Sequence, residues 1–175
     1  MNKHPIFIIS GAQGEGKTTS LIRVIEELRK DRIAVAGFIA EGEWEKGLRT
    51  RFYIRDVANT VKMILCQSEE DKAFEKQGRF YFNPEAIQLG AKLVQANEVK
   101  QLVVLDEIGL FEINGHIWAP VFKELISNAD VPLIITVRDT FVDQVISTFN
   151  ITRSEVFYCK IEPELIAKKI QKSIG

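Results

Sequence analysis

The chain has 175 residues, 46% of them hydrophobic and 27% charged, which excludes a disordered or fibrous protein and predicts a single domain over residues 1–175. The 23 basic and 24 acidic residues leave a formal net charge of -1. No global field therefore draws the molecule to nucleic acid or to an anionic membrane, and the sequence shows no clear nucleic-acid site.

Along the chain, apolar runs of four to six residues alternate with stretches of helical periodicity. This is the pattern of βα units around a mainly parallel sheet with helices on both faces, so the predicted fold class is three-layer α/β. The first strand is expected over Pro5-Ile6-Phe7-Ile8-Ile9-Ser10. It runs into Gly11-Ala12-Gln13-Gly14-Glu15-Gly16-Lys17-Thr18, followed by Thr19 and a helix to Lys30 whose apolar face is Leu21, Ile22, Ile25 and Leu28. A second strand is predicted over Ile33–Ala40.

Between Glu41 and Phe82 the period changes to two, over Arg51-Phe52-Tyr53-Ile54-Arg55-Asp56-Val57, with Lys46-Gly47 as a turn before it. An antiparallel hairpin insertion over about 41–82 is predicted, joined by strands at Val61–Leu65 and Arg79–Phe82. The charged stretch Ser68–Gly78 reads as an exposed loop or short helix. Helices are expected over Pro84–Ala96, His116–Asn128, Thr140–Phe149 and Pro163–Ser173, and strands over Leu102–Asp106, Leu133–Val137 and Val156–Cys159.

The glycine-rich segment Gly11-x4-Gly16-Lys17-Thr18, between an apolar strand and an amphipathic helix, has the spacing and context of a P-loop. Glycines let the backbone aim successive N–H groups at phosphate oxygens, and the following helix adds its positive dipole end. Lys17 is expected at the β- and γ-phosphates and Thr18 in a Mg2+ shell, making Gly11 through Thr19 the candidate nucleotide-binding residues. Leu102-Val103-Val104-Leu105 ends in Asp106-Glu107, at the carboxyl end where α/β sheets carry ligands. Asp106 is the expected second Mg2+ residue. Glu107 is placed to orient a water and take its proton during attack on a γ-phosphate. Downstream, Glu112 reads either as support for that pair or as a surface acid. Thr136 reads as a polar sensor of the γ-phosphate or as a core hydroxyl. Arg138 reads as a catalytic cation or as a surface ion pair with Asp139 or Asp143.

Gly11-x4-Gly16-Lys17-Thr18-Thr19, Val35-x-Gly37-Phe38, Gly78-Arg79-Phe80 leading to Asn83-x-Glu85-Ala86, and Asp106-Glu107-Ile108-Gly109-x-x-Glu112 occur in that order. Together they resemble the cancer-related nucleoside-triphosphatase family, with its bacterial and archaeal members, over roughly Ile6 to Arg138. The resemblance implies a RecA-like P-loop core and Mg2+-dependent hydrolysis of ATP, GTP and other nucleoside triphosphates at low base selectivity, with Glu107 activating the water. The chain departs from the family pattern at Thr136-Val137-Arg138-Asp139, where a histidine and basic residues are usual, and in its more acidic loop Glu41–Glu45. Two other uses of the same loop stay open: a small-molecule kinase whose hairpin arginines Arg49, Arg51 and Arg55 grip an acidic acceptor, or a nucleotide-dependent switch or assembly module with Trp44 and Trp118 as contacts. No protein partner is named by the sequence.

No apolar run approaches the roughly 18 residues of a membrane span, and the first residues lack a secretory pattern, so a cytoplasmic location is expected. Cys66 and Cys159 have no CxxC partner and are expected as buried thiols.

Overall fold

A computed structural model describes residues 1–95 and 101–174. The last residue expected in the helix over Pro84–Ala96 lies outside them. Nine strands form one sheet: β1 (Ile6–Gly11), β2 (Val35–Glu45), β3 (Leu48–Asp56), β4 (Lys62–Gln67), β5 (Glu75–Gln77), β6 (Phe80–Phe82), β7 (Leu102–Leu105), β8 (Leu133–Arg138) and β9 (Ser154–Tyr158). Their order is β5-β6-β4-β3-β2-β7-β8-β1-β9. The pairs from β2 to β9 are parallel and those from β2 outward to β5 are antiparallel.

The helices are α1 (Lys17–Lys30), α2 (Pro84–Gln95), α3 (Leu110–Ile113), α4 (Ala119–Asn128), α5 (Val142–Thr148) and α6 (Pro163–Ile174), with a 3-10 turn over Asp139–Phe141. Alternate residues of the central strands feed two cores. Phe7 and Ile9 of β1 pack with Leu21, Val24 and Leu28 of α1 and Ile166 and Ile170 of α6. On the opposite face Ile6 and Ile8 pack with Ala86 and Val94 of α2, Phe122 of α4 and Val145 of α5. Period-two alternation along strands with apolar residues on both faces requires such a sandwich.

The expected antiparallel hairpin is β2–β3, turned at Lys46-Gly47, and it grows out of the parallel core, because β2 runs on past Ala40 to Glu45 as the first arm of the wing. Its length lets one strand pair with β7 near its start and with β3 along the rest. The stretch Ser68–Gly78 is neither loop nor helix throughout, since Glu75–Gln77 adds an edge strand to β6; its charged side chains suit an exposed edge. The sharp exit at Gly109 leads straight into α3, and the helices expected from His116 and Thr140 start at Ala119 and Val142.

Gly37 joins the two halves. It lies opposite Val104 in the β2–β7 register with φ +114°, and a Cβ there would stand 2.0 Å from the Val104 carbonyl oxygen. Only glycine permits this approach. It brings the β2 backbone against β7, so that the Ala40 N–H reaches the carboxylate of Asp106.

Candidate active site

The carboxyl ends of β1, β2, β7 and β8 open on one cleft, a cavity of about 370 Å3. Strand β1 feeds the P-loop, and its turn is made by Gly14 and Gly16 at φ +74° and +99°, a region ordinary side chains avoid. Gly16 precedes α1, whose first N–H groups have no partner within the helix and point at the loop. Lys17 is only 7% exposed; its Nζ donates to the Ala12 carbonyl at 3.1 Å and stands 4.0 Å from Glu107 Oε2. Glu15 turns back on its own loop, accepting from the Ala12 N–H at 2.7 Å and pairing with Lys160 at 2.9 Å and with the Tyr158 hydroxyl. The hydrogen bond from Tyr158, then those from Lys160 and Ala12, lower its carboxyl to about pKa 2. It is thus an anion that braces the loop's shape from the side of β9.

Asp106 is almost fully buried at the end of β7. Its Oδ2 accepts from Thr18 Oγ1 at 2.8 Å and from the Ala40 N–H at 3.1 Å, and its Oδ1 accepts from the Thr136 hydroxyl. Burial pushes this carboxyl upward in pKa, against those donors and Lys17. Thr136, fully buried on β8 between the P-loop strand and β7, therefore touches the aspartate directly. Thr18 and Asp106 supply one hydroxyl and one carboxylate in contact beside the phosphate loop. That sparse set of hard oxygens suits Mg2+, which keeps most of its waters and takes further ligands from phosphate. Among the described residues there is no group of three or more His, Cys, Asp or Glu side chains that would cage a metal.

The Asp106–Glu107 peptide is cis. Glu107 is 45% exposed yet stands on the floor of the cleft, so water reaches it while protein surrounds it. Burial first, and then the Asp106 charge, raise its pKa, opposed by Lys17, Arg138 and Arg49. Arg138 at the end of β8 lines the cavity with its guanidinium 5.6 Å from the Phe141 ring. Neither ion pair expected for it forms: the Asp139 carboxylate accepts the Thr140 N–H instead.

Of the two readings of Glu112, the surface acid does not hold: the side chain is buried, 4% exposed. Its Oε2 accepts the Gly109 N–H at 2.8 Å and its Oε1 faces the Trp118 N–H at 3.5 Å. It thereby closes the turn that carries α3 along the cleft wall. Burial pushes it up to about pKa 8 against these donors, and the Glu107 charge adds to the rise.

Arg51 and Arg55 lie as expected on the hairpin surface, paired with Glu43 and Glu41 at 3.5 and 3.0 Å. Arg49 does not join them. The β2–β3 register shifts between Glu43 and Trp44, opposite Thr50, and this bulge turns Arg49 to the same side as Phe52, into the cavity. The alternation in sequence gave no sign of that break. Trp44, 57% exposed, overhangs the P-loop, its ring edge 4.0 Å from where a Gly14 Cβ would stand. Trp118, by contrast, is buried against Phe38.

A glycine-turned loop entering α1, a lysine at its helix end, and a buried strand-end aspartate bonded to the loop's threonine define a P-loop nucleoside-triphosphate-binding fold. Within that class the chain belongs to the NTPase family, whose sequence profile matches residues 6–170. It is 30% identical over 133 residues to the nucleoside-triphosphatase THEP1 of Sulfurisphaera tokodaii, covering 74% of each chain. To THEP1 of Thermofilum pendens it is 30% identical over 137 residues, covering 76% of this chain and 73% of that protein. Its fold matches the solution structure of a human cancer-related nucleoside triphosphatase, with TM-score 0.70 at 19% identity over 97% of this chain and 96% of that one. It matches the crystal structure of THEP1 from Aquifex aeolicus with TM-score 0.68 at 19% identity, over 95% and 99% of the two chains.

Proposed function

We propose that this chain is a Mg2+-dependent nucleoside triphosphatase, acting in the cytoplasm as one domain, that cleaves ATP, GTP and related triphosphates to the diphosphate and phosphate with low base selectivity. The observation that carries the reading is the placement of Glu107: a water-accessible carboxylate 4.0 Å from the P-loop lysine, next to the aspartate bonded to Thr18. Membership of the NTPase family and the nucleoside-triphosphatase relatives support it.

In this reading the N–H groups from Gly14 to Thr18 cradle the β- and γ-phosphates. Lys17 exchanges the Ala12 carbonyl for their oxygens. Thr18 and Asp106 would hold a Mg2+ ion, which would offset phosphate charge when bound. Glu107 orients a water for in-line attack and accepts its proton as the water oxygen bonds to the γ-phosphorus. The bond from that phosphorus to the bridging oxygen breaks, and its electron pair leaves with the diphosphate. Arg138 meets charge developing on the γ-oxygens, and Thr136 holds Asp106 in orientation.

The test is phosphate release from ATP and GTP, with Mg2+ and no added acceptor, by the wild type and by Glu107→Gln. A positioned general base supplies about 100- to 10,000-fold, so turnover falls by that factor while triphosphate affinity is retained. Equal turnover in the two proteins, or the same loss of affinity as turnover, would overturn the assignment of Glu107.

A further inference from the structure

The cavity extends well past the phosphate site, and its far wall has no part in the chemistry above. That wall is built by the antiparallel wing and the α3 turn: Phe52 of β3, Leu65 and Cys66 of β4, Phe80 and Phe82 of β6, and Phe111. The rings meet edge to face, Phe52 with Phe80 at 5.6 Å and Phe82 with Phe111 at 5.4 Å between centroids. Two arginines stand over the rings around this space: Arg49, 5.6 Å from the Phe52 ring and 4.9 Å from that of Trp44, and Arg79, 4.6 Å from Phe80. Neither has a carboxylate within ion-pair distance among the described residues; Arg79 donates to the Arg49 carbonyl at 3.4 Å, and the buried Arg49 Nε has no hydrogen-bond partner.

We propose that this part of the cavity is a second ligand site, for a flat aromatic molecule carrying a carboxylate, occupied together with the nucleotide and not by it. Sheet order supports joint occupancy. From β1, which carries the P-loop, the order runs through β8 to β7, which carries Glu107, then through β2 to β3, β4 and β6. The aromatic wall is thus on the far side of Glu107 from the P-loop. In-line transfer sets the attacking and leaving oxygens on opposite sides of the γ-phosphorus, and the nucleoside hangs from the leaving side. A nucleoside on the leaving side therefore points away from the aromatic wall, while Arg49 borders the P-loop through Trp44, 4.9 Å from its guanidinium. Its chemistry selects the ligand: aromatic walls take a ring by stacking and edge contacts, and unpaired guanidinium groups take a carboxylate in a planar fork. The whole cavity, phosphate end included, is about 370 Å3, so the part beyond the phosphates holds a ligand of one or two rings and no larger one.

The inference rests on the P-loop as the triphosphate site, so both bindings are measured together. Calorimetry titrates 2-naphthoate, and the same ring bearing an aminomethyl cation, into wild type without nucleotide and with Mg2+ and a non-hydrolysable triphosphate. The variants are Arg79→Gln, at an exposed position, and Leu65→Trp, which fills the space, with folding checked by thermal unfolding. Naphthoate is expected to bind in both nucleotide states with affinities within about threefold, and the cation at least tenfold more weakly. Arg79→Gln weakens naphthoate at least fivefold and leaves triphosphate affinity within threefold; folded Leu65→Trp does the same. Absence of naphthoate binding, equal binding of anion and cation, indifference to Arg79→Gln, or mutual exclusion of naphthoate and triphosphate each overturns the proposal. Failure of the triphosphate alone to bind overturns the P-loop reading instead, and the nucleotide-free titration still decides the second site.

Discussion

Replacing Glu112 by glutamine should stabilise the protein in a pH-dependent way. Glu112 is buried in the turn beside the cleft, and burial raises its carboxyl from the ordinary 4.5 to about 8. The folded protein thus keeps the proton, while the unfolded chain releases it above pH 4.5. A raised folded pKa contributes stability that is fully present below the unfolded value and is lost as pH rises through the folded one. At 1.36 kcal/mol per pKa unit, the wild type loses about 2–3 kcal/mol from this group between about pH 5 and pH 7, and little more above about pH 8. Glutamine has the shape of the neutral acid, offers an oxygen to the Gly109 N–H and does not ionise; its amide N–H2 meets the Trp118 N–H at the long 3.5 Å contact, a cost that is the same at every pH and drops out of the pH trend. Glu107 is the charged group acting on Glu112, and it is present in both proteins, so the difference between them isolates Glu112. The assay is thermal unfolding of both proteins across this pH range. The melting temperature of Glu112→Gln relative to wild type should rise by about 4–12 °C from pH 5 to pH 7, at about 2–4 °C per kcal/mol for a chain of this size. A difference that stays constant with pH, or that shrinks toward neutrality, would refute the assignment of a neutral buried acid.

Lys17→Ala should weaken triphosphate binding by about 10- to 100-fold, the loss of a charge-assisted contact worth roughly 1.5–3 kcal/mol, and abolish turnover. Calorimetry that found affinity intact would remove Lys17 from the phosphate site. Trp44 lies over Gly14 and is 57% exposed, so triphosphate with Mg2+ should change its fluorescence, and Trp44→Phe should lose that response while buried Trp118 stays silent. A response that survives in Trp44→Phe would mean that the hairpin does not border the bound nucleotide.

The parts of the site readable from the sequence were those encoded by neighbouring residues. The P-loop is a contiguous string whose glycines fix its turn, and Leu102 to Leu105 is a buried run followed by two carboxylates at the carboxyl end of a central strand. What escaped the sequence depends on pairing at a distance. Arg49 follows the same alternation as Arg51 and Arg55, and a bulge set by the partner strand turns it inward. Glu112, among Leu110, Phe111 and Ile113, reads equally as site support or as a surface acid, and its burial comes from Trp118 and the Gly109 backbone closing around it. The phenylalanines of the cavity are scattered over β3, β6 and α3, each an ordinary strand or helix residue until the wing folds them together. Helix starts at Ala119 and Val142 shifted because the turns before them use three-residue hydrogen bonding, for which hydrophobic period carries no signal.

The central claim is that water is the acceptor of the γ-phosphoryl group. Its most direct test is turnover of ATP with Mg2+ in isotopically labelled water, with mass analysis of both products before any exchange. One labelled oxygen should appear in the released phosphate and none in the diphosphate, since water attacks the γ-phosphorus and the bridging oxygen leaves with the diphosphate. Label in the diphosphate, or no release of phosphate without an added acceptor, would contradict it.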